Sequence, residues 1–319
     1  MKRLRVGVIG VGHLGQHHAR LYAGLSGAVL EGVVDTEPDR AKSVADRYGT
    51  TVYPDAASLL GKVDAVSVAV PTTAHHAVVK RCLEAGVHVL VEKPITVTEE
   101  EARDLVDLAR DKGRVLQVGH IERFNPAIRA VRKHITTPGF IESHRLSPFG
   151  ERGTDVDVVL DLMIHDLDMV LSFAPGPVED IRAAGVPVLS SSVDIANARI
   201  AFQSGCVANL TASRVSMTRM RKLRLFQRDA YISVDYQARQ GIICRRRIGR
   251  GGRPEIESEP VQAADEEPLR LQLESFVRAA ATGGQPEVSG EDGVAALALA
   301  HRVLEAIGAF MRRHGAERA

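Results

Sequence analysis

The sequence predicts an α/β protein with a Rossmann-type doubly wound parallel sheet, followed by an α+β domain with a large, mostly antiparallel open sheet. From Leu4 to Val118 short apolar runs alternate with segments of helical period, and parallel strands require such crossovers. After Gly119 strand-like segments follow one another with short turns, which is typical of an antiparallel sheet. The chain has 319 residues, 45% of them hydrophobic, enough for two cores. We therefore predict one domain at 1–120 and another at 121–319.

Each element of the first half has its own signal. The mostly β-branched run at Leu4–Ile9 ends in glycines, and Pro38 is placed to open a helix that stops at Gly49. Thr98 and Glu101 form a capping-box pattern at the start of a long helix that stops near Gly113. The other predicted strands are Ala28–Val34, 63–70, His88–Val91 and 115–118, and the other predicted helices are 14–25, Pro38–Tyr48 and 74–85.

The second half mixes helices with consecutive strands. A short helix is predicted to begin at Asn125-Pro126, a single helix of mixed polarity to span 156–173, and two helices to end the chain at 268–281 and 291–313. A glycine-rich stretch at 249–254 is interpreted as a surface loop or turn. The predicted strands are 141–147, 181–188, Ile195–Phe202, 207–215, 223–226, 231–236 and 242–248.

Composition argues against several classes of protein. The sequence has 41 basic and 40 acidic side chains, so there is no global electrostatic field to attract nucleic acid or an anionic membrane. Nowhere do eighteen apolar residues run together, and the N-terminus lacks a signal-peptide pattern. Three widely spaced cysteines indicate reduced thiols, and they predict neither a disulfide framework nor a metal site. We expect a cytoplasmic protein without nucleic-acid or membrane partners.

The segment Gly10-Val-Gly12-His-Leu-Gly15 has the spacing of a dinucleotide-binding fingerprint. It follows a predicted strand, precedes a predicted helix, and stands twenty residues before Asp35, which ends the second strand. The glycines would give a sharp turn, a close backbone approach to a pyrophosphate and tight helix packing, and the helix N-terminus would supply N–H donors. A carboxylate at position 35 would hold the ribose hydroxyls and repel a 2′-phosphate, so NAD is favoured over NADP. Arg40 remains open as a phosphate contact or a solvated helix residue.

Glu92-Lys93-Pro94 ends a predicted strand at the carboxyl edge of the sheet, where ligands bind in such folds. Proline disfavours the helical region for the preceding Lys93, which is then extended and able to point into the cleft. A lysine there, beside a nicotinamide, would exchange a proton with a substrate hydroxyl.

Two histidines are further candidates. Asp161 and His165 are spaced i, i+4 and would share one helix face, where a carboxylate orients an imidazole for acid–base work. On spacing alone, a solvated face exposing Asp155, Asp157, Asp161, Asp166 and Asp168 is the leading alternative. His75 follows the predicted strand 63–70, and would lie near the nicotinamide or cap the next helix.

Four motifs in order resemble those of the Gfo/Idh/MocA family of NAD(P)-dependent sugar oxidoreductases, over essentially the whole chain. The resemblance implies that Lys93, Asp161 and His165 act on a substrate hydroxyl. It also implies a cofactor site formed by Gly10, Gly12, His13, Leu14, Gly15, Asp35, Arg40, Pro71, Thr72, His75, Glu92 and Lys93. The motifs are Gly10-Val-Gly12-His-Leu-Gly15, Pro71-Thr-Thr-Ala-His75, Glu92-Lys93-Pro94 and Asp161-Leu-Met-Ile-His165-Asp-Leu-Asp168.

The segment Val118-Gly-His-Ile-Glu-Arg-Phe-Asn-Pro126 is similar to a subgroup of bacterial family members associated with lipid A synthesis. This implies oxidation at C3 of the N-acetylglucosamine ring of a UDP-sugar. Arg123 and His120 are added to the predicted substrate site; His120 stands where many family members have asparagine, so its role is open, but its place at the domain crossover would let it line the cleft. The diphosphate would need cationic donors, for which Arg123, Arg214 and Arg219 are candidates. The stretch 149–155 is a loop or a rim over the substrate.

The alternatives left open by the sequence are an inositol, free-sugar or polyol dehydrogenase of the same family, and a non-catalytic NAD-binding sensor. We also expect a homodimer or homotetramer, because a broad antiparallel sheet has a second face to cover.

Overall fold

The computed structural model describes residues 3–150, 156–174, 176–248 and 253–315. By its internal contacts the chain divides into two units: Met1–Ile121 with Glu267–Val294, and Glu122–Glu266 with Ala295–Ala319. The sequence had assigned everything after residue 120 to the second domain. The segment Glu267–Val294 instead belongs to the first unit, because the buried side chains of Leu273, Phe276 and Val277 join that unit's core.

The first unit contains a six-stranded, all-parallel sheet in the order β3-β2-β1-β4-β5-β6, which confirms the predicted Rossmann-type sheet. The strands are β1 Leu4–Ile9, β2 Ala28–Val34, β3 Thr51–Val52, β4 Ala65–Val68, β5 His88–Val91 and β6 Leu116–Val118. The helices are α1 Gly15–Ala23, α2 Pro38–Tyr48, α3 Ala56–Leu60, α4 His75–Glu84, α5 Glu99–Asp111 and α8 Pro268–Thr282.

Local chemistry accounts for these elements. All four residues of β4 and of β5 are buried, as expected of parallel strands covered on both faces. The predicted capping box is present at α5: Thr98 accepts a hydrogen bond from the Glu101 amide, and Glu101 accepts one from the Thr98 amide. The short β3 and α3 were not predicted, since two and five residues carry too little periodicity.

The second unit contains an eight-stranded sheet in the order β14-β13-β12-β11-β7-β10-β9-β8. Every neighbouring pair is antiparallel except β7 and β10, which confirms the mostly antiparallel sheet. The strands are β7 Pro138–Leu146, β8 Val178–Val186, β9 Ile195–Phe202, β10 Val207–Ser213, β11 Met220–Gln227, β12 Ala230–Asp235, β13 Gln240–Ile248 and β14 Pro254–Gln262.

Two regions of the second unit depart from the prediction. The helix predicted over 156–173 is a π-helical turn at Val159–Met163 followed by α7, Ile164–Phe173. Strand β14 was not predicted, because its alternating charged residues give no apolar period. Residues 249–252 of that stretch, and 151–155 of the predicted loop or rim, lie outside the described residues.

Two further helices are α6, Pro126–Arg132, which begins where it was predicted and is capped by Asn125, and α9, Gly290–Gly315, which belongs to the second unit from Ala295 onwards. In the part of the chain that the structure describes, α9 is the one helix with the length and hydropathy of a membrane span. Its side chains at Ala296, Leu299 and Val303 belong to the core of the second unit, which explains this apolar composition.

Candidate active site and cofactor cavity

A cavity of about 660 Å³ opens at the carboxyl edge of the parallel sheet in the first unit. This volume suits a large cofactor. Of the residues predicted for cofactor binding, Gly15 and Thr72 are not among those that line the cavity. The predicted residues that do line it are Gly10, Gly12, His13, Leu14, Asp35, Arg40, Pro71, His75, Glu92 and Lys93.

The three glycines between β1 and α1 have separate geometric roles. Gly10 has φ +84°, and a Cβ there would lie 2.7 Å from the Ala69 carbonyl oxygen. A Cβ on Gly15 would lie 1.8 Å from the Gly10 carbonyl oxygen, so Gly15 permits the close packing of α1 against the turn. A Cβ on Gly12 would meet no atom within 4 Å, since this residue faces open space at the cavity. The turn therefore has room for a pyrophosphate where the fingerprint predicts one.

Asp35 lies at the end of β2 with its carboxylate almost fully buried at the cavity wall. It accepts hydrogen bonds from the backbone amides of Val11 (2.8 Å) and Glu37 (2.9 Å), and its Oδ1 pairs with Nη2 of Arg40 at 2.7 Å. Burial raises the pKa of Asp35, but the hydrogen bonds from Arg40 and the two amides outweigh it and hold the pKa below its usual value. Arg40 therefore contacts the carboxylate and lines the cavity.

Glu92 forms a hydrogen bond with a buried histidine that was not predicted as a site residue. His18, on α1, is 1% exposed, and its Nε2 lies 3.1 Å from Oε1 of Glu92. Burial raises the pKa of Glu92, but the hydrogen bond and charge of His18, and then the charge of Lys93, lower it overall. Among the described residues, Nδ1 of His18 has no hydrogen-bond partner. Its Nε2–H therefore donates to the carboxylate of Glu92.

The ring of His75 connects two chain segments of the cavity wall. Its Nδ1 lies 2.8 Å from the Pro94 carbonyl oxygen, and its Nε2 lies 3.0 Å from that of Val70. Burial lowers the pKa of His75, and the two carbonyl contacts oppose this effect. His75 is also the first residue of α4 and lines the cavity. It thus fixes the backbone on the far side of Lys93.

Lys93 is half-buried, lines the cavity and precedes a cis peptide bond to Pro94. Its two neighbours are both anchored, Glu92 through His18 and Pro94 through His75. The backbone that carries the Lys93 ammonium group is therefore fixed on both sides at the edge of the cofactor cavity.

In the second unit, Asp161 lies in the π-helical turn and His165 is the second residue of α7. Both are half-buried, whereas Met163, Ile164 and Asp166 between and beside them are buried. Asp161 and His165 therefore occupy the less buried side of this segment.

The alternative of a solvated acidic face is wrong for two of its members. Asp166 pairs with Arg145 at 2.7 Å, and Asp168 accepts two hydrogen bonds of 2.8 Å from Arg123, and both carboxylates are buried. Asp157 accepts a hydrogen bond from the Val193 amide. Asp155 lies outside the described residues.

The arginines proposed for a substrate diphosphate fall into two groups. The fork of Arg123 contacts Asp168, and Arg214 is buried with its Nε 2.7 Å from Asp194 and its Nη1 2.6 Å from the Val156 carbonyl oxygen. These two guanidinium groups stabilise the fold of the second unit. Arg219 is exposed and lines a separate cavity in the same unit. His120 is buried in the first unit, two residues after the end of β6.

Comparison with known proteins identifies the family of the chain. Residues 4–120 match the NAD-binding Rossmann fold of the Gfo/Idh/MocA oxidoreductases, and residues 127–232 match the C-terminal domain of the same family. The UDP-N-acetylglucosamine 3-dehydrogenase of Acidithiobacillus ferrooxidans is 41% identical over 315 residues, covering 98% of this chain and 100% of that protein. The chain belongs to the Gfo/Idh/MocA family. The resemblance carried by the four motifs is thereby confirmed.

One further relative and two solved structures extend this comparison. The inositol 2-dehydrogenase of Rhizobium meliloti is 28% identical over 321 residues, covering 95% of this chain and 97% of that protein. Among solved structures, that of the Acidithiobacillus ferrooxidans enzyme has a TM-score of 0.91 at 40% identity, covering 98% of this chain and 100% of that one. Levoglucosan dehydrogenase in complex with NADH and levoglucosan has a TM-score of 0.85 at 19% identity, covering 96% and 98%, and shows the shared fold.

The residues present fit the dinucleotide that this family binds. The open space at Gly12, the carboxylate of Asp35 and the volume of the cavity are the features such a cofactor needs. Within the described ranges, no group of three or more His, Cys, Asp or Glu side chains is arranged to hold a metal ion.

Proposed function

We propose that this chain is an NAD-dependent dehydrogenase that oxidises the C3 hydroxyl of the N-acetylglucosamine ring of a UDP-sugar. Its product is a 3-keto sugar nucleotide, which we place among the precursors of lipid A or a surface polysaccharide. The observation that carries the proposal is the position of Lys93, which lines the cofactor cavity between two anchored neighbours. The proposed substrate is based on the similarity to the full-length relative named as UDP-N-acetylglucosamine 3-dehydrogenase.

The proposed reaction removes a hydride and a proton from one secondary alcohol. Bound NAD supplies the hydride acceptor. The proton of the hydroxyl passes to Lys93 or His165, the two side chains of the set that accept protons near neutral pH when suitably placed. Asp161 is proposed to orient the imidazole of His165, and His120 to contact the sugar.

A preference for NAD over NADP is supported by the contacts of Asp35. Its carboxylate is ionised by its hydrogen bonds and charge partner, so a ribose hydroxyl finds an acceptor and a 2′-phosphate meets a negative charge. We expect Asp35→Ser, with Arg40 retained, to shift the ratio of kcat/KM for NAD over NADP towards NADP. An unchanged ratio would contradict this role of Asp35.

The substrate is tested with a panel. The purified protein is incubated with NAD and, separately, UDP-N-acetylglucosamine, UDP-glucose, free N-acetylglucosamine and myo-inositol, and NADH absorbance is followed. We expect turnover with UDP-N-acetylglucosamine. Reduction of its product with borodeuteride should place deuterium at C3, as located by NMR. Deuterium at another carbon would contradict the ring position.

Myo-inositol is in the panel because inositol 2-dehydrogenases align with nearly the whole chain. Turnover with inositol and none with UDP-sugars would favour that second candidate. Binding of NADH without turnover of any substrate would favour a sensor.

The role of Lys93 is tested with Lys93→Met. We expect kcat to fall by roughly 10²- to 10⁴-fold, the usual contribution of a general acid or base, with NADH affinity nearly retained. The matched control is Lys80→Met, which removes a surface lysine that pairs with Asp104 on the outside of the unit. Full activity of Lys93→Met would refute the proposed chemistry.

We also propose that the protein is cytoplasmic and self-associates through the face of the eight-stranded sheet opposite its core. Phe140, Phe226 and Tyr231 form an aromatic group on that face, with ring centroids 5.7 and 4.9 Å apart. Leu223 and Leu225, which alternate with Phe226 along β11, are buried in the core. We expect light scattering to report a dimer or tetramer that Phe226→Lys weakens.

A further inference from the structure

A second cavity, of about 510 Å³, lies at the start of β11 in the second unit. Three cationic side chains line it, Arg219, Arg221 and Lys222, together with the single carboxylate of Asp235. Nζ of Lys222 lies 3.8 Å from Oδ2 of Asp235. This pair leaves the charges of Arg219 and Arg221 without a carboxylate of their own in the cavity wall.

Arg221 differs from the other poorly exposed arginines of the unit. Arg123, Arg145 and Arg214 each form an ion pair with a buried carboxylate, at Asp168, Asp166 and Asp194 respectively. Arg221 is half-buried, yet among the described residues it forms no side-chain hydrogen bond or ion pair. A desolvated guanidinium group without a partner is unfavourable, which makes a bound anion the natural partner for it.

The position of Arg221 on the sheet strengthens this reading. In the antiparallel register Arg221 is opposite Arg145, and it lies on the same face of β11 as the buried Leu223 and Leu225. Burial, followed by the charge of Arg145, lowers the pKa of Arg221. At Arg145 the charges of Asp166 and Glu122 outweigh burial and raise the pKa. The charges of Glu122 and Asp166 only partly offset these two effects at Arg221, and neither carboxylate is in direct contact with it. An arginine retains its proton under such conditions.

The cavity is also close to the proposed catalytic segment of the same unit. Asp166, which contacts Arg145, directly follows His165 in α7. Besides the two arginines, the cavity wall contains the side-chain amide of Gln237, a neutral hydrogen-bond donor.

We propose that Arg219 and Arg221 bind the diphosphate of a nucleoside diphosphate sugar. The inference rests on the proposed function and assigns the part of the substrate that a free sugar or an inositol lacks. The planar fork of a guanidinium group donates two parallel hydrogen bonds to phosphate oxygens, and Arg221 is held on a strand rather than in a loop. Sequence analysis named Arg219 and did not name Arg221.

The test compares Arg221→Met, Arg221→Lys and Arg219→Ala with the unmodified protein. The dissociation constant of UDP, a probe without the sugar, is measured by calorimetry with NADH present. We expect Arg221→Met to weaken UDP binding by roughly 10- to 100-fold, the range for a lost hydrogen bond to a charged group. Arg221→Lys should lose less, because it retains the charge but not the fork. KM for the UDP-sugar should rise with little change in kcat.

Arg228→Met is the matched control, because Arg228 lies in the exposed turn at the other end of β11. It should bind UDP like the unmodified protein. Thermal unfolding shows whether each variant folds. If Arg221→Met does not fold, the inference is tested with Arg221→Lys and Arg219→Ala, which change the cavity least.

Folded Arg221 and Arg219 variants with unchanged UDP affinity would overturn the inference, and the proposed function would stand if the unmodified protein still oxidises the UDP-sugar. Conversely, UDP binding that depends on Arg221, in a protein that oxidises no UDP-sugar, would support the diphosphate site and refute the proposed reaction. The two failures are therefore distinguishable.

Discussion

The two units stabilise their buried carboxylates in different ways. In the first unit the buried Glu92 is paired with a histidine, His18, and Asp35 relies on two backbone amides and the partly exposed Arg40. In the second unit Asp166, Asp168 and Asp194 are each paired with an arginine of low exposure. Because arginine keeps its proton, the second arrangement is a fixed framework of charged pairs, whereas the first relies on an imidazole and on backbone amides.

The largest expected effect comes from breaking the fixed framework. Arg145→Met removes the cation that contacts both Asp166 and Glu122, and leaves two buried carboxylates without it. We expect a loss of about 3–5 kcal/mol in the free energy of unfolding, measured by urea denaturation. The control Arg182→Met removes an exposed pair with Asp180 and should cost less than about 1 kcal/mol. Equal stabilities of the two variants would show that the buried network contributes little.

A smaller effect is expected at the His18–Glu92 pair of the first unit. His18→Leu leaves Glu92 without the side chain that contacts it, at a cost of about 1–3 kcal/mol for an unsatisfied buried group. His18→Gln retains a donor and should recover much of the stability. If His18 positions the Lys93 segment, the leucine variant should also lower kcat and shift the pH–rate profile, with partial rescue by glutamine. Identical profiles in both variants would limit His18 to a structural role.

The smallest effect is expected at Arg40, which is about half exposed. The pKa of Asp35 in the folded protein is below its unfolded value of about 3.9, so its stabilising contribution is present above that pH and is lost as the pH falls through the folded pKa. Arg40→Ala should raise the pKa of Asp35 and cost less than about 1 kcal/mol at pH 6. The urea midpoints of the variant and the unmodified protein should differ at pH 6 and become equal at acidic pH. A difference that grows on acidification would contradict this assignment.

Regular elements with strong local signals could be predicted from the sequence. The bounds of Leu4–Ile9, Ala28–Val34 and Pro38–Tyr48 are confirmed, because β-branched runs, a proline at a helix start and a glycine at a helix end act locally. Strand β14 was missed because its charged residues, such as Glu255, Glu257 and Glu259, lie at the sheet edge and give no apolar alternation.

Contacts between residues far apart in the chain could not be predicted from the sequence. His18 and Glu92 are separated by 74 residues, and no spacing rule connects them. Arg123 and Arg214 were candidates for phosphate ligands because the sequence does not show which carboxylate a guanidinium group contacts; in the structure they pair with Asp168 and Asp194. The return of Glu267–Val294 to the first unit likewise depends on which core accepts Phe276, and not on local periodicity.

The π-helical turn at Val159–Met163 amounts to one additional residue in the helix that carries the Asp-x-x-x-His motif. A chain shortened by one residue within this turn would form an uninterrupted α-helix with better backbone geometry. If the lost residue is Leu162 or Met163, which lie between Asp161 and His165, Asp161 would also rotate by about 100° around the axis relative to His165, since each residue of an α-helix turns by that angle. Related chains that keep the motif should therefore tolerate substitutions here far better than deletions, and alignments of this segment should be free of gaps.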